Sequence, residues 1–244
     1  MTAASIFFAL LFYLAALLFA DGLVYRINDY ARTPAPLKIP TTPAPTTNGG
    51  VVLRMAREVL LFESLFKSNL WTWALGWLFH MSLALVLVRH LRYFTEPVWS
   101  WVAFIQPFGI YASLPMVIAL AGLLARRLFV ERIRYISTPS DNLMLALLLL
   151  IGLSGLFMKF ISHTDIIGAK TFVLGLMRFD WQPLPSYWVL YLHLLLAATL
   201  LIIFPFSKLL HAPGVFFSPS RNQADNPREK RHLAAWAEKL ESEI

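Results

Sequence analysis

Cysteine is absent from this 244-residue chain, and charged residues are scarce. Without cysteine the chain cannot form a disulfide, hold an iron–sulfur cluster through thiolates or attach a c-type haem covalently. Any redox cofactor must therefore be held non-covalently by other ligands. Charged residues make up 14% and hydrophobic residues 58% of the chain, whereas soluble domains average about 25% and about 45–50%. The composition excludes an ordinary soluble domain and predicts a membrane protein.

Five apolar segments are long enough to cross a bilayer as helices, which takes about 20 residues each. The predicted fold class is all-α, an integral membrane bundle of five transmembrane helices. The first segment lacks a basic region before it and a small-residue cleavage pattern after it, so we interpret it as a retained helix rather than a signal peptide. The five segments are Ser5–Val24, Leu70–Val88, Val98–Ala125, Asn142–Phe160 and Tyr187–Phe206.

The net charge of +7 is distributed unevenly among the connections. Sixteen Lys and Arg residues lie in the first connection, the third connection and the C-terminal tail, and five lie on the other side. Basic residues collect on the cytoplasmic side of membrane proteins. The bias predicts a multi-pass protein of the cell inner (cytoplasmic) membrane with the N-terminus outside and the C-terminus in the cytoplasm. We attribute the positive charge to topology and lipid contact, not to nucleic acid.

The segments outside the spans predict the domain organisation. Residues 1–210 form a membrane domain, and residues 211–244 form a cytoplasmic tail. The proline-rich stretch 33–47 within the membrane domain favours an extended, solvated linker, and Val51–Ser68 has the pattern of an amphipathic interfacial helix. The tail has a helix start at Asn226, followed by apolar residues that share one face, Leu233, Trp236 and Leu240.

Histidines are the candidate functional residues inside the spans, because ionisable groups there are rare and usually functional. His80 lies in the middle of the second span and His90 at its outer end. His193 lies in the outer half of the fifth span, and His211 just beyond its inner end. The two spans run in opposite directions. Their order along the membrane normal therefore pairs His90 with His193 and His80 with His211, which predicts two bis-imidazole sites at two depths.

The spacing of these histidines agrees with paired ligands on two helices, but the two intervals differ in length. The interval of 18 residues on the fifth span is about five turns, which places His193 and His211 on one face if the helix continues past Pro205. Eighteen residues rise about 27 Å and the ten between His80 and His90 about 15 Å, so straight helices cannot bridge two haems identically. A kink or unwinding at Pro205 would shorten the longer interval.

A cofactor-free alternative remains for each histidine, namely a hydrogen bond to a neighbouring helix. A small transporter or scaffold with a proton relay would use histidines in this way. Five spans without an evident repeat, and no pair of broken helices, count against that alternative. His163 and His232 lie outside the spans, and we interpret both as solvated or locally hydrogen-bonded.

The histidine spacing, together with the lead Thr138-Pro-Ser-Asp141 into the fourth span, resembles the gamma subunit family of respiratory nitrate reductase. The stretch from Phe206 to Asn222, which contains His211, is more similar to the DsrM-type cytochrome b subunits of the membrane complex associated with dissimilatory sulfite reduction. Two other assignments keep the haems and change the partner: a nitrate reductase gamma subunit, or the cytochrome b of a heterodisulfide reductase.

The resemblance implies two haems b, the outer one on His90 and His193 and the inner one on His80 and His211. It implies quinone as the substrate, reacting near the outer haem. Electrons would pass between the menaquinone or ubiquinone pool and a cytoplasmic iron–sulfur subunit that resembles the catalytic half of heterodisulfide reductases. Further membrane and periplasmic subunits of a sulfur-metabolism complex are also expected.

The quinone site itself cannot be transferred from the family, because nitrate reductase gamma subunits have a lysine in the third span and this chain has none between Lys67 and Lys159. From residue types alone, three side chains near the outer ends of spans two and three could bind quinone carbonyls or haem propionates. Interfacial anchoring is an equally good explanation for them. The three are Arg89, Arg92 and Gln106, with Tyr93 beside them.

Overall fold

The computed structural model of the protein describes residues 1–34 and 40–225. All regular secondary structure in these residues is helical. Short 3₁₀ segments follow α4, α9 and α10, and a π-helical turn at Met158–Ser162 extends α7. The α-helices are α1 (Ala3–Arg32), α2 (Asn48–Leu61), α3 (Glu63–Ser68), α4 (Leu70–His90), α5 (Ser100–Phe129), α6 (Glu131–Ile136), α7 (Pro139–Phe157), α8 (Ile166–Met177), α9 (Trp188–Ile203) and α10 (His211–Gly214).

Five of these helices, α1, α4, α5, α7 and α9, are long and apolar enough to cross a membrane. They coincide with the five predicted segments, and the prediction of an all-α, multi-pass membrane bundle is confirmed. α1 and α5 are each 30 residues long, longer than predicted and longer than the bilayer core requires. The sidedness of the termini stays a prediction.

Helix starts follow the local sequence. The side-chain oxygen of Asn69 accepts the backbone N–H of Thr72 at 2.8 Å and begins α4. At α7 the carboxylate of Asp141 accepts the backbone N–H of Thr138 at 3.1 Å, and Pro139 occupies the first turn, where its missing N–H costs nothing. Each of these side chains satisfies a backbone donor that the first helical turn leaves without a partner.

The long helices pack in the order α4, α5, α7, α9 and α1. The neighbours α4 and α5 are antiparallel, since Gly109 of α5 lies against Arg89 and Gly122 lies against Leu75. α1 and α9 run in the same direction, as expected for a first and a fifth span. Over their full lengths α4 and α9, the two histidine-bearing helices, do not pack extensively against each other.

Two features outside the long helices differ from the sequence predictions. The segment 51–68 forms two helices, α2 and α3, because Phe62 between them has a left-handed backbone with φ of 53°. The connection before the fifth span contains an unpredicted apolar helix, α8, whose Phe172 is buried against Phe8 of α1 and Leu190 of α9. The expected tail helix from Asn226 and residues 35–39 of the expected linker lie outside the described residues.

The connection from α8 to α9 is fastened to α1. The hydroxyl of Tyr13 donates to the carbonyl of Leu176 at 2.8 Å and accepts from the indole N–H of Trp181 at 3.1 Å. Nearer the start of α1, the hydroxyl of Ser5 accepts the backbone N–H of Leu184 at 2.9 Å. α1 thereby supports the segment that leads directly into α9 and His193.

The close approach of α4 and α5 depends on Gly109. A Cβ at this position would lie 2.7 Å from Arg89 Cβ and 2.9 Å from the carbonyl oxygen of Leu85, so Gly109→Val must separate the helices. We expect a loss of about 1–3 kcal/mol, seen as a lower thermal unfolding midpoint in detergent. Gly49→Ala is the matched control, since a Cβ there meets nothing within 4 Å. An equal midpoint for the two variants would contradict the packing argument.

Candidate functional site

Four histidines lie in two pairs, one toward each end of the bundle. The ring centroids of His90 and His193 are 6.4 Å apart with an interplanar angle of 14°. Those of His80 and His211 are 5.9 Å apart with an angle of 85°. Two imidazoles on opposite sides of one metal ion have centroids about 6 Å apart, since the metal–nitrogen bond is about 2 Å long. Each histidine lies beside its predicted partner, while coordination of iron stays a prediction.

Within α4, both histidines are oriented by the helix backbone. Nδ1 of His80 lies 2.7 Å from the carbonyl oxygen of Gly76, and Nδ1 of His90 lies 2.7 Å from that of Val86. A carbonyl oxygen can only accept, so Nδ1 carries the proton and donates it. In a neutral imidazole the other nitrogen, Nε2, then keeps its lone pair, which is the form that binds a metal.

His193 is also protonated on Nδ1, but its hydrogen-bond acceptor is a serine hydroxyl. Its Nδ1 is 2.9 Å from the hydroxyl oxygen of Ser154, and that oxygen is 3.0 Å from the carbonyl oxygen of Ile151. The single hydroxyl proton is donated to Ile151, so Ser154 accepts the proton of Nδ1 from His193. The next residue is Gly155, where a Cβ would lie 3.5 Å from His193 Cε1. The small residues of α7 thus leave room for the ring and fix its tautomer.

His211 reaches His80 because α9 ends early. The helix stops at Ile203, a 3₁₀ turn contains Pro205, and Ser207 is extended. Proline has no N–H and its ring clashes with the preceding helical turn. His193 and His211 therefore do not lie on one continuous helix face. The helix breaks at Pro205, as expected from the sequence if the 18-residue interval between them is to be shortened. Nδ1 of His211 lies 2.9 Å from the carbonyl oxygen of Lys208, again as a donor.

Two phenylalanines contact the ring of His80 with their edges. The ring centroid of Phe79 is 4.7 Å from that of His80, and the centroid of Phe62 is 4.9 Å away. Phe62 is the left-handed residue between α2 and α3. The turn of the chain at this residue brings its ring against the His80/His211 pair, so the α2–α3 segment forms one wall of that site.

The three polar candidates near His90 contact one another. Arg92 Nη1 donates to Gln106 Oε1 at 3.2 Å, and Gln106 Nε2 donates to the carbonyl oxygen of Arg89 at 3.3 Å. The amide of Gln106 therefore links α4 to α5. Nε of Arg89 is buried and has no hydrogen-bond partner among the described residues, so of the three groups it is the one left open to a ligand oxygen.

Of the other two histidines, only His163 is described, and it belongs to neither pair. His163 ends the π turn after α7, with its Nδ1 3.1 Å from the carbonyl oxygen of Ile161, and His232 lies outside the described residues. In the part of the chain that is described, no three or more His, Asp or Glu side chains converge as a metal site. This result does not bear on a bis-histidine haem, which needs only two protein ligands because the porphyrin supplies the other nitrogens.

A cavity of about 440 Å³ lies beyond the His90 end of α4. One of its lining residues, Phe94, directly follows Tyr93, whose ring centroid is 5.9 Å from that of His90. Its opposite wall is the C-terminal end of α8, a helix that the sequence does not predict, so the cavity is not predictable from the sequence either. Glu96 forms an ion pair with Lys170 of α8. The lining includes Phe94, Glu96, Trp99, Leu174, Met177 and Arg178.

The chain resembles proteins from archaea and bacteria. Residues 50–222, which contain all four paired histidines, match the nitrate reductase gamma subunit family. The Hdr-like menaquinol oxidoreductase cytochrome b-like subunit of Archaeoglobus fulgidus is 37% identical over 92% of this chain and 81% of its own length. The protein of that name from Archaeoglobus profundus is 33% identical over 95% and 82%. The respiratory nitrate reductase 1 gamma chain of Escherichia coli is 31% identical over 55% and 68%.

Proposed function

Because the chain belongs to the nitrate reductase gamma subunit family, we propose that it is the dihaem b membrane subunit of a quinone-linked electron-transfer complex. His90 and His193 would hold the outer haem, and His80 and His211 the inner one. The observation that carries this proposal is the pair of imidazole separations, 6.4 Å and 5.9 Å, at two depths of one bundle. Each haem would supply an iron that accepts and releases one electron.

The residues around both pairs fit a haem. Nδ1 of each histidine is engaged in a hydrogen bond within the chain, which leaves Nε2 available. Gly76, on the face of His80, has no side chain, and a Cβ there would have only Leu65 within 4 Å. The Nε of Arg89, which has no partner among the described residues, would donate to a haem carboxylate. Two histidines leave no vacant coordination position, which favours electron transfer over oxygen chemistry.

The hydrogen bonds to Nδ1 give the chain a means of adjusting its cofactors. A partner of the non-ligating nitrogen fixes the ring orientation and raises the basicity of the ligating one. Three of the four partners are backbone carbonyl groups, and the fourth is the hydroxyl of Ser154. The outer and inner sites are therefore not equivalent in ligand environment, and we expect different reduction potentials.

The closer relatives indicate the kind of complex. Both Archaeoglobus proteins are named Hdr-like menaquinol oxidoreductase subunits, which supports menaquinone as the substrate and a heterodisulfide-reductase-like iron–sulfur subunit as the partner. The residues around His211 favour a DsrM-type role in dissimilatory sulfur metabolism. The His211 end would face the cytoplasm and this partner, in agreement with the excess of Lys and Arg in the connections at that end.

Quinone would bind in the cavity between the 94–99 loop and the end of α8. The cavity is next to Tyr93 and thus near the outer pair. Aromatic and aliphatic side chains line it, and Glu96 and Arg178 provide polar groups at its wall. This mixture suits a ring that carries two oxygens and an apolar tail. Arg92 and Gln106 satisfy each other and would act as support for α4 and α5 rather than as quinone ligands.

Replacing single histidines should separate the two haems. His193→Ala is expected to remove the outer haem and His80→Ala the inner one, because each loses an axial ligand. A pyridine haemochrome assay on the purified protein should find about two haems b per chain in the wild type and about one in each variant. Electron paramagnetic resonance identifies which is lost, since near-parallel imidazole planes give a rhombic ferric signal and near-perpendicular planes a strongly anisotropic one.

His163→Ala is the matched control for these variants and should keep both signals. If either ligand variant kept both signals, the assignment of ligands would be wrong. If the folded wild-type protein, produced with an ample supply of haem, contained none, the cofactor-free transporter or scaffold would be the better explanation.

Filling the cavity should weaken quinone binding without affecting the haems. Leu174→Trp places an indole in the cavity, and we expect about a tenfold higher half-saturating concentration of a short-chain menaquinol, equivalent to about 1.4 kcal/mol. The measurement is the rate of haem reduction by stopped-flow absorbance. Leu17→Trp, at a position 59% exposed on α1, is the control. Unchanged saturation in the Leu174 variant would exclude this cavity as the quinone site.

A further inference from the structure

Three helical elements meet at the carboxylate of Asp141, at the His211 end of the bundle. Lys208 Nζ lies 2.7 Å from Asp141 Oδ1, and Arg127 Nη1 lies 3.2 Å from Asp141 Oδ2. Oδ2 also accepts the backbone N–H of Thr138. The Asp141 side chain is 7% exposed, so it is a nearly buried acceptor that holds two cations. It connects the end of α5, the start of α7 and the segment that follows α9.

Lys208 connects this carboxylate to His211. Its side chain is bound by Asp141, and its backbone carbonyl accepts the Nδ1 proton of His211 at 2.9 Å. The residue that Asp141 holds is therefore the residue that orients the imidazole. The stretch itself contains no helix longer than four residues, because α9 ends at Ile203 and only short turns follow. His80, His90 and His193, by contrast, are each carried by a long helix.

A second ion pair holds the chain on the other side of His211. Arg221 Nη1 lies 2.7 Å from Glu58 Oε1 of α2 and donates to Ser64 Oγ of α3 at 2.6 Å. This contact is ten residues beyond the histidine, whereas Lys208 is three residues before it and shares a hydrogen bond with it. Asp141 is thus the more direct of the two constraints on the imidazole.

We propose that Asp141 is a positioning residue for the inner site: by holding Lys208 against α7 it sets the orientation of the His211 imidazole relative to His80. This inference rests on the proposed function for its effect on a haem, but the constraint on the segment 207–214 does not require a haem. Asp141 touches neither histidine, so it acts through Lys208. The 85° angle between the His80 and His211 rings is the quantity that it controls.

The absence of cysteine from the chain provides a direct test. Ala212→Cys introduces a single thiol at an exposed position next to His211. Its rate of maleimide labelling in the purified full chain reports how firmly the segment is held. In Asp141→Asn the side chain keeps an oxygen for the Thr138 N–H but loses the charge that binds Lys208. Because Lys208 is 74% exposed, we expect labelling to be about threefold faster, as for a mostly solvated ion pair.

Ferric electron paramagnetic resonance supplies the second readout. Asp141→Asn should shift the strongly anisotropic signal of the inner site and leave the rhombic signal of the outer site unchanged. Asp141→Glu should restore both the labelling rate and the signal. Asp29→Asn is the control, since Asp29 forms an exposed pair with Arg26 at 3.9 Å, and it should change neither readout.

Unchanged labelling in Asp141→Asn, or an equal shift of both signals, would overturn the proposal in favour of a general stabilising role. Lys208→Met gives an independent test if Asp141→Asn does not fold, because the helix cap and the Arg127 pair remain. It should reproduce the faster labelling, and failure to do so would also overturn the proposal. If the wild-type chain held no haem, the proposed function would fail, whereas the labelling rates would still decide whether Asp141 holds the segment.

Discussion

Hydrocarbon offers no hydrogen-bond partners, so a polar group inside the bundle is costly unless the chain or a ligand satisfies it. For an imidazole this requirement decides chemistry as well as position. His80 and His90 use the carbonyl of the preceding helical turn, and His193 uses Ser154. Each hydrogen bond occupies Nδ1 and directs the lone pair of Nε2 away from the chain's own backbone. The hydrogen bonds that satisfy these histidines therefore also leave Nε2 with the lone pair that the proposed ligation requires.

Helix order explains why the pairs face each other without crowding. α4 and α9 are joined through α5 and α7 rather than by extensive mutual contact. Glycine sets the closeness of the α4–α5 packing. Gly109 allows α5 to approach α4, whereas Gly155 lies beside the ring of His193, where a Cβ would be in ordinary contact at 3.5 Å. Because these contacts are set by helix packing, the His90/His193 pair is positioned by the bundle as a whole.

Hydropathy was sufficient to predict all five membrane-spanning helices, because their length and composition are required by the bilayer. The spatial pairs of histidines followed from the antiparallel order of two spans. What the sequence could not supply depends on tertiary contact. Apolar periodicity did not separate α8 from a loop, because its burial comes from Phe8 and Leu190. The left-handed conformation of Phe62 has no local signal such as glycine. The mutual bonding of Arg92 and Gln106 was likewise invisible.

The two histidine pairs differ in what holds them, and this difference has a consequence for function. Both members of the His90/His193 pair lie on long helices, whereas His211 lies on a short helix after Pro205, between the ion pairs of Lys208 and Arg221. Ion pairs with exposed cations are weaker than helix packing and respond to nearby charges. A partner subunit that approached the His211 end would therefore change the surroundings of Lys208 and Arg221 first. In the proposed complex, the geometry of the His80/His211 pair is the one that such a partner would influence, while the His90/His193 pair would remain fixed by the membrane-spanning helices.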